Sequence, residues 1–529
     1  MPGRFTETLD DPEIFDGTPD FNGGAMSYAR RNLLAPNQAF KLVNVMLAKD
    51  GPAVTRRGTL KLGVAADYNS PVLGMGYLDT PSLEKLLRIA KSTSGGHAVI
   101  VQSHDGNPAN DWVTEGSYTP ADADMEIVPA LNKLYLFNGS DAVHTWDGTS
   151  FATLGTSGTD CPKGKWAVWF QYRMFVAGVA ASPYTVFFSD VLDPSNGHWD
   201  ATAKSFKVSE GDGDPIVGIA PWTGTLLVIF KRSSIWLADV DPTISLGGGI
   251  ALQCIHRGVG CLSHRSIAQV GADLWFASDD GPRSVQRILQ GDQQAVSLPL
   301  SRPVQDRWDR LNKSAADKIC ATFFNNRYLI AFPTENATRP DEVLSFNTEK
   351  NCWEGYWTGW TPTIFCASYF GGLQRMQMGR ADGQVMQWRN FTAEENETEL
   401  DFVDGAVDIP TTIGLRSHNF DEPRNRKRGV VVELEFDRSR ARTVDLALIL
   451  DERTTSIDLG SIASGIGAVT FPMRFPFRFT GTGIKRVPRT LLDQPPFREI
   501  ALEISSTKRK LALRSVALTA HLRGMTLGQ

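Results

Sequence analysis

The sequence predicts an all-β protein: a six- to seven-bladed β-propeller over residues 61–395, with an extended N-terminal arm before it and a C-terminal β-sandwich after it. Three observations lead to this prediction. Short apolar strands recur along the middle of the chain at similar spacing, turn-forming residues interrupt the first 60 residues, and strands of alternating polarity follow residue 410.

Residues 1–60 are predicted to form the extended arm. Turn-forming pairs at 23–24, 36–37 and 51–52 interrupt it, and only residues 42–47 (LVNVML) have the apolar pattern of a strand. Such a segment cannot bury a core of its own. We therefore expect it to lie across another domain or a neighbouring subunit.

Residues 61–395 contain a repeated pattern of an apolar strand, a turn and a second apolar strand. The first strands begin at 134, 174, 226, 274, 328 and 376, at intervals of 40 to 54 residues, and a similar strand begins at 86. Four short strands in 40 to 50 residues are typical of one propeller blade, and packing blades side by side buries both faces of each sheet. Two β-sandwiches with similar strand spacing are the alternative.

An acidic segment, 396–410, is predicted to be a linker, and the remaining residues, 411–529, to form the β-sandwich. Strands are expected at 429–436, 443–450, 469–479, 499–506 and 510–522. The alternation of apolar and polar residues in 432–436 is that of a strand with one buried and one solvated face.

The charge of the chain argues against a protein dedicated to gripping nucleic acid. Lys and Arg number 54 against 59 Asp and Glu, and the excess of acid lies in residues 1–400, whereas 401–529 are mildly basic. The six cysteines include no Cys-x-x-Cys pair, so buried reduced thiols and assembly in a reducing cytoplasm are expected. Neither a secretory signal nor an apolar run long enough to span a bilayer is recognisable.

The sequence contains no established catalytic motif, and we predict neither an enzyme nor a cofactor or metal site. The acidic run 210–214 (EGDGD) resembles the start of a calcium loop but lacks the later glutamate, which favours a solvated turn. The aromatic run 353–360 (WEGYWTGW) has the composition of a sugar-stacking platform, but packing between blades is the preferred interpretation.

A basic cluster at Arg424, Arg426, Lys427 and Arg428 has the charge to contact DNA phosphates. Acidic residues precede and follow it at 421–422 and at 433 and 435, and they oppose its field. We therefore predict a subunit interface at this turn. In the arm, Asn37, Asn44 and Arg57 are further candidate interface residues.

Two segments resemble virion proteins of bacteriophages. Residues 21–63 contain Pro36-Asn37-Gln38-Ala39, Asn44-Val45, Gly51 and Arg57-Gly58-Thr59 in the order found near the start of these proteins. Residues 258–285 (GVGCLSHRSIAQVGADLWFASDDGPRSV) are similar to a second segment, except that Pro282 stands where an aliphatic residue is expected. The family is that of the tail nozzle, or tail tubular protein B-like, propeller proteins of short-tailed bacteriophages.

The resemblance implies a structural virion protein in the phage tail. Its members form a hexameric ring that continues the DNA channel below the adaptor, or head-to-tail connector, retains the packaged genome and opens for DNA ejection. It implies partners in the adaptor ring and in tail fibres or spikes, a C-terminal platform-like domain, and DNA that passes without sequence-specific binding. A receptor- or glycan-binding propeller of a phage fibre or baseplate is the alternative.

Overall fold

The computed structural model describes residues 13–63, 70–91, 99–118, 124–290, 298–389, 398–437, 443–451, 456–463, 484–486, 490–491, 496–507 and 510–522. The chain divides into two compact units. The central unit consists of Thr59–Val343 and Gly359–Asn390. The terminal unit consists of the residues up to Gly58, Leu344–Thr358 and the residues from Phe391 onward. The predicted all-β class is confirmed, because strands form nearly all the regular structure of both units.

The central unit contains successive small antiparallel sheets, which we number 1 to 7 in chain order. Sheet 1 consists of Val72–Thr80, Leu83–Lys91, Val99–His104 and Val113–Tyr118, and sheet 2 of Glu126–Ala130, Lys133–Phe137, His144–Trp146 and Phe151–Thr153. Sheet 3 consists of Trp166–Phe170, Arg173–Ala177, Thr185–Phe188 and Ser205–Lys207, and sheet 4 of Ile216–Pro221, Leu226–Lys231, Ser234–Asp239 and Ala251–Arg257. Each strand pairs with the one that follows it in the chain.

Sheets 5 to 7 continue this series. In the central unit, sheet 5 consists of Ala268–Val270, Asp273–Ser278 and Gly281–Ser284, and sheet 6 of Cys320–Phe324 and Arg327–Phe332. Sheet 7 contains Pro362–Phe370, Leu373–Arg380 and Val385–Trp388. Sheet 7 gains a fourth strand, Thr59–Lys61, from a distant part of the sequence. The strand Glu342–Asn347 crosses the boundary between the two units.

The first strands of the seven sheets follow one another in a closed order. Each lies beside the first strand of the next sheet, with the step from sheet 4 to sheet 5 made through the 3-10 helix His264–Ser266. Pro362–Phe370 of sheet 7 lies beside Val72–Thr80 of sheet 1, so the series returns to its start. The strand starts predicted at 86, 134, 174, 226, 274, 328 and 376 correspond to the second strands of sheets 1 to 7.

Apolar clusters fill the space between consecutive sheets, so most strands are buried on both faces. In Lys133–Phe137, Leu134 and Leu136 pack toward sheet 1, whereas Tyr135 and Phe137 pack toward sheet 3. Similar clusters join sheets 3 and 4, sheets 4 and 5, and sheets 7 and 1. Successive side chains of a strand point to opposite faces, so a continuous apolar run is what a strand between two sheets requires.

Several hairpins turn through two residues with positive φ. Asn325-Asn326 joins the strands of sheet 6, and Gly371-Gly372 joins the first two strands of sheet 7. Asparagine and glycine tolerate this left-handed conformation, which matches the twist of tightly connected antiparallel strands.

The terminal unit contains two sheets. One comprises Glu13–Thr18, Val45–Leu47, Ala53–Thr55, Lys427–Asp437, Ile484–Arg486, Thr490–Leu491 and Ala512–Leu522; within this unit the other comprises Gly24–Ala25, Gln38–Val43, Cys352–Trp357, Thr411–Leu415, Thr443–Leu450, Ile457–Ala463 and Ile500–Ser506. Strands from the start of the chain are therefore built into sheets formed by its end. Glu13–Thr18 pairs along the whole of its length with Ala512–Leu522.

Three predicted segments differ from this arrangement. The arm, 1–60, was expected to lie across another domain or a neighbouring subunit, and its described strands pair with strands of 411–529 within the terminal unit. Leu344–Thr358 belongs to the terminal unit although it lies inside the predicted propeller segment. In the predicted linker, Glu399–Phe402 forms a 3-10 helix and Val403–Asp404 pairs with Val407–Asp408. The strand predicted at 469–479 lies outside the described residues.

Short helices connect some of the strands. They are the α-helices Val285–Leu289 and Gln305–Trp308 and the 3-10 helices Arg31–Leu33, Gly247–Gly249, His264–Ser266, Arg302–Val304, Lys313–Lys318 and Glu399–Phe402. None of the helices in the described part of the chain has the length and apolarity of a membrane-spanning segment.

Candidate functional site: buried polar joints and a central cavity

Asn44, a predicted interface residue, is fully buried inside the terminal unit. Its side-chain amide donates to Thr358 Oγ1 (2.9 Å) and to the Pro410 carbonyl oxygen (2.7 Å). Its Oδ1 accepts hydrogen bonds from Arg56 Nε (3.0 Å) and the Thr358 backbone N–H (2.8 Å). With φ at 55°, Asn44 also turns the chain between two strands. The side chain thus joins three distant segments of one chain, which is a different role from the predicted subunit contact.

Arg57 and its neighbour Arg56 are buried beside the acidic segment that was predicted to be a linker. Arg56 forms a two-pronged ion pair with Asp404, at 3.0 and 2.5 Å, and donates to the Thr358 carbonyl oxygen. Arg57 lies 3.8 Å from an Asp401 carboxylate oxygen and over the ring of Phe402. The acidic residues therefore neutralise buried arginines of the same chain. Sequence reasoning missed Arg56, although it stands next to a residue of the resemblance.

The other predicted interface residues are not brought together. Asn37 is partly exposed, and Arg424 and Arg426 are exposed. Lys427 is buried, and its Nζ donates to the carbonyl oxygens of Glu422, Asn425 and Arg498. The side chain of Arg428 lies outside the described residues. The cluster therefore presents two described arginines to solvent, while Lys427 ties its turn to the sheet.

Arg265, from the second segment of the resemblance, is the corresponding buried joint of the central unit. Its guanidinium donates to the carbonyl oxygens of Leu73 (2.7 Å), Met125 (2.6 Å) and Thr363 (3.3 Å). These acceptors stand at the starts of the first strands of sheets 1, 2 and 7. One side chain from the loop before sheet 5 therefore satisfies backbone carbonyls of three other sheets.

Asp124 balances the positive charge around Arg265. It lies 2.7 Å from Lys318 Nζ, 3.3 Å from Arg339 and 4.0 Å from Arg265. Burial alone would raise the pKa of Asp124, but Arg265, Arg339 and Lys318 lower it to about 2. The carboxylate is consequently ionised at all physiological pH values.

A cavity of about 370 Å³ lies among the first strands of sheets 1, 2, 6 and 7 and the loop that contains Arg265. Its polar groups include Glu126, His264, Arg265 and the thiols of Cys320 and Cys366, and apolar atoms form little more than half of its wall. The pKa of both thiols is raised to about 12 by burial, so they stay protonated and weakly nucleophilic. The sequence did not indicate this cavity, because its walls come from strands far apart in the chain.

Glu126 and His264 face each other across 3.9 Å, between Oε1 and Nε2. Burial raises the pKa of Glu126 to about 7 against the opposing field of Arg265. Burial also lowers the pKa of His264 to about 3, and Arg265 and Lys165 add to this effect. The histidine is therefore neutral at physiological pH, and the carboxyl group exchanges its proton near neutrality.

The acidic run 210–214 has a structural role in the central unit. Both Asp212 oxygens accept hydrogen bonds from the buried Lys231 Nζ, and Asp214 accepts from the backbone N–H groups of Arg232 and Ser233. Among the residues that the structure describes, no group of three or more histidine, cysteine or acidic side chains has the arrangement of a metal site. The six cysteines are not joined in disulfides; Cys161, Cys261 and Cys320 are buried and the other three partly exposed.

The aromatic run 353–360 is buried, but Trp353 and Trp357 belong to the terminal unit and not to the space between sheets of the central unit, where packing was predicted. Trp353, Trp357 and Trp360 are all at most 1% exposed. Trp357 donates its indole N–H to the Val45 carbonyl oxygen, and the Trp353 ring meets Phe346 edge to face. No face of these rings is available to stack on a sugar.

The comparisons with known proteins leave the family of this chain open. The chain matches no protein-family model and no curated protein. Among solved structures, the computationally designed Ika8 protein is similar over 63% of this chain and 100% of its own, at 10% sequence identity and a TM-score of 0.35. A likeness at that score carries no argument about fold or function.

Proposed function

We propose that this chain is a structural virion protein, the tail nozzle of a short-tailed bacteriophage. In this proposal six copies form a ring that continues the DNA channel below the adaptor, retains the packaged genome and opens for ejection. The chain would act through its surfaces, with the adaptor ring and tail fibres or spikes as partners.

The proposal interprets the seven sheets of the central unit as the blades of a seven-bladed propeller. The closed order of the first strands supports this interpretation, as do the apolar clusters between consecutive sheets. Thr59–Lys61 would complete the last blade from the start of the unit, which fastens the two ends of the circle together. The two sheets of the terminal unit would be the platform-like sandwich.

The observation that carries the proposal is the position of the residues on which the resemblance depends. Asn44 and Arg57 contribute to the buried polar joint of the terminal unit, and Arg265 forms the joint of the central unit. Gly58 belongs to the same group, since a Cβ atom there would lie 1.9 Å from the Val403 carbonyl oxygen. Residues that hold distant segments together are those on which a shared fold depends. These positions support a likeness to the nozzle family that extends to the architecture of the chain.

The size of the cavity bears on the path of DNA. At about 370 Å³, it has the volume of a small-molecule pocket and cannot admit a duplex. In this proposal the DNA channel therefore lies between several copies, as it does in a ring. A closed ring requires two different complementary patches on each copy, and the exposed Arg424 and Arg426 are our candidates for one of them.

Mass photometry and electron microscopy of the purified full chain test this proposal. We expect particles of six times the 58.1 kDa chain mass and ring-shaped images with six-fold symmetry. The double variant Arg424→Glu/Arg426→Glu should abolish the ring, and Lys133→Glu/Lys163→Glu, the same charge change at exposed lysines of the central unit, should leave it intact. A chain that remains monomeric at every concentration, or a ring indifferent to the first double variant, would contradict the respective assignments.

A glycan array on the same chain tests the alternative of a receptor-binding propeller. Burial of Trp353, Trp357 and Trp360 removes the aromatic platform that motivated this alternative. Saturable binding of an oligosaccharide by the monomer would nevertheless favour it over the nozzle.

A further inference from the structure

The cavity of the central unit combines an apolar wall with one acidic group, a combination for which a channel protein has no evident use. Its volume of about 370 Å³ lies at the lower end of the range for small-molecule pockets. The apolar part of its wall is formed by Met75, Ile127, Pro129, Ile267, Ile364 and Phe365. Such a wall favours a ligand with a compact hydrocarbon body.

The carboxylate of Glu126 lacks a hydrogen-bond donor among the described residues. Its Oε1 lies 3.9 Å from His264 Nε2, beyond hydrogen-bonding distance. Only about 21% of the Glu126 side chain is exposed. A carboxylate in such surroundings is poorly solvated, and a donor supplied from solution would relieve this cost.

The charged groups of the cavity determine whether a cationic or an anionic ligand is favoured. Arg265 lines the cavity, but its guanidinium is occupied by three backbone carbonyls and lies 4.0 Å from Asp124. His264 is neutral, and Cys366, which faces Glu126 from sheet 7, stays protonated. Glu126 is thus the group in the cavity whose charge is available, and it favours a cation.

We propose that this cavity is a binding site for a small organic amine, whose ammonium group pairs with Glu126 while its hydrocarbon body packs against Ile127, Ile267 and Ile364. The imidazole of His264, whose Nε2 lies 3.9 Å from Glu126 Oε1, would lie beside the same ammonium group. The Tyr369 end of the cavity provides access, since this residue lines the cavity and is about half exposed. This site does not depend on the proposed role in a phage tail.

Calorimetric titration of the full chain with phenethylamine tests the site, with hydrocinnamate as a probe of similar shape and opposite charge. We expect saturable binding of the amine and none of the acid. Glu126→Gln should weaken amine binding at least tenfold, because it keeps the shape of the side chain and removes its charge. Glu210→Gln, which removes the same charge from an exposed loop of the central unit, should have no effect.

The pH dependence provides a second readout. Because the pKa of Glu126 is about 7, its charge is largely lost at pH 6 and largely present at pH 8, so binding should be about tenfold weaker at the lower value. Thermal unfolding tests whether Glu126→Gln is folded. If Glu126→Gln does not fold, Glu126→Asp replaces it in the titration; this variant keeps the charge and should retain part of the affinity. The absence of saturable amine binding, equal binding of the acid, or an unchanged affinity in folded Glu126→Gln would overturn the proposal.

Discussion

Replacement of Asn44 by alanine tests whether this side chain joins the terminal unit internally, as its geometry indicates. The substitution removes four hydrogen bonds and leaves Arg56 Nε, the Thr358 N–H and the Pro410 carbonyl without their partner. A buried donor or acceptor left unpaired costs about 1–3 kcal/mol, with the fully buried Arg56 Nε at the upper end. Alanine at φ 55° adds about 1 kcal/mol of backbone strain. We expect a total loss of about 6 kcal/mol.

Two further variants separate these contributions. Asn44→Gly loses the same hydrogen bonds but accepts the positive φ, so it should be about 1 kcal/mol less destabilised than Asn44→Ala. Asn44→Asp keeps the acceptor for Arg56 and Thr358 and loses the two donated bonds. Its expected loss is about 1–2 kcal/mol.

Urea denaturation followed by tryptophan fluorescence measures the free energy of unfolding of each variant. Trp357 lies at the joint, and hydrogen exchange at the Asn44 amide, which donates to the Tyr356 carbonyl oxygen, provides a local measurement. A loss of less than about 1 kcal/mol in Asn44→Ala would refute the reasoning, because it falls below the cost of a single unpaired buried group. If the variant keeps its stability but loses the ring, Asn44 acts between subunits, as its sequence context predicted.

Three further results are expected from the central unit. Asp124→Asn should lower the free energy of unfolding at neutral pH by about 2 kcal/mol, since the pKa of Asp124 is about 2 in the folded chain against an ordinary 3.8. The stability advantage of the wild-type chain is present above pH 4 and declines as the pH falls toward 2. Urea titrations at pH 7 and pH 3 measure this decline. Arg265→Met should lower the melting temperature of this unit far more than Arg302→Met does at an exposed position of the same unit, because three backbone carbonyls lose their donor; equal shifts would contradict the joint. Burial raises the pKa of Cys261 to about 11, so in the native chain Cys261 should react with a thiol reagent more slowly than the partly exposed Cys352. In urea the two cysteines should react at similar rates. Similar rates in the native chain would contradict the burial of Cys261.

The sequence by itself determined the class of the protein and the approximate position of most strands. A strand that packs on both faces must be apolar throughout, and one with a single buried face must alternate, so the local pattern records burial directly. The run at 134–137 illustrates the first case, and Val432, Leu434 and Phe436 illustrate the second. The recurring strand starts marked the second strand of every sheet, because the first two strands of each sheet are consecutive in the chain.

Only the tertiary structure decided which distant residues meet. Thr59–Lys61 completes sheet 7, and Asn44 binds Thr358, 314 residues away in the sequence. Glu126 and His264, which are also far apart in the sequence, line the same cavity. A contact between remote segments imposes no periodic pattern on either one, so neither the polar joints nor the candidate amine site could be read from composition or spacing.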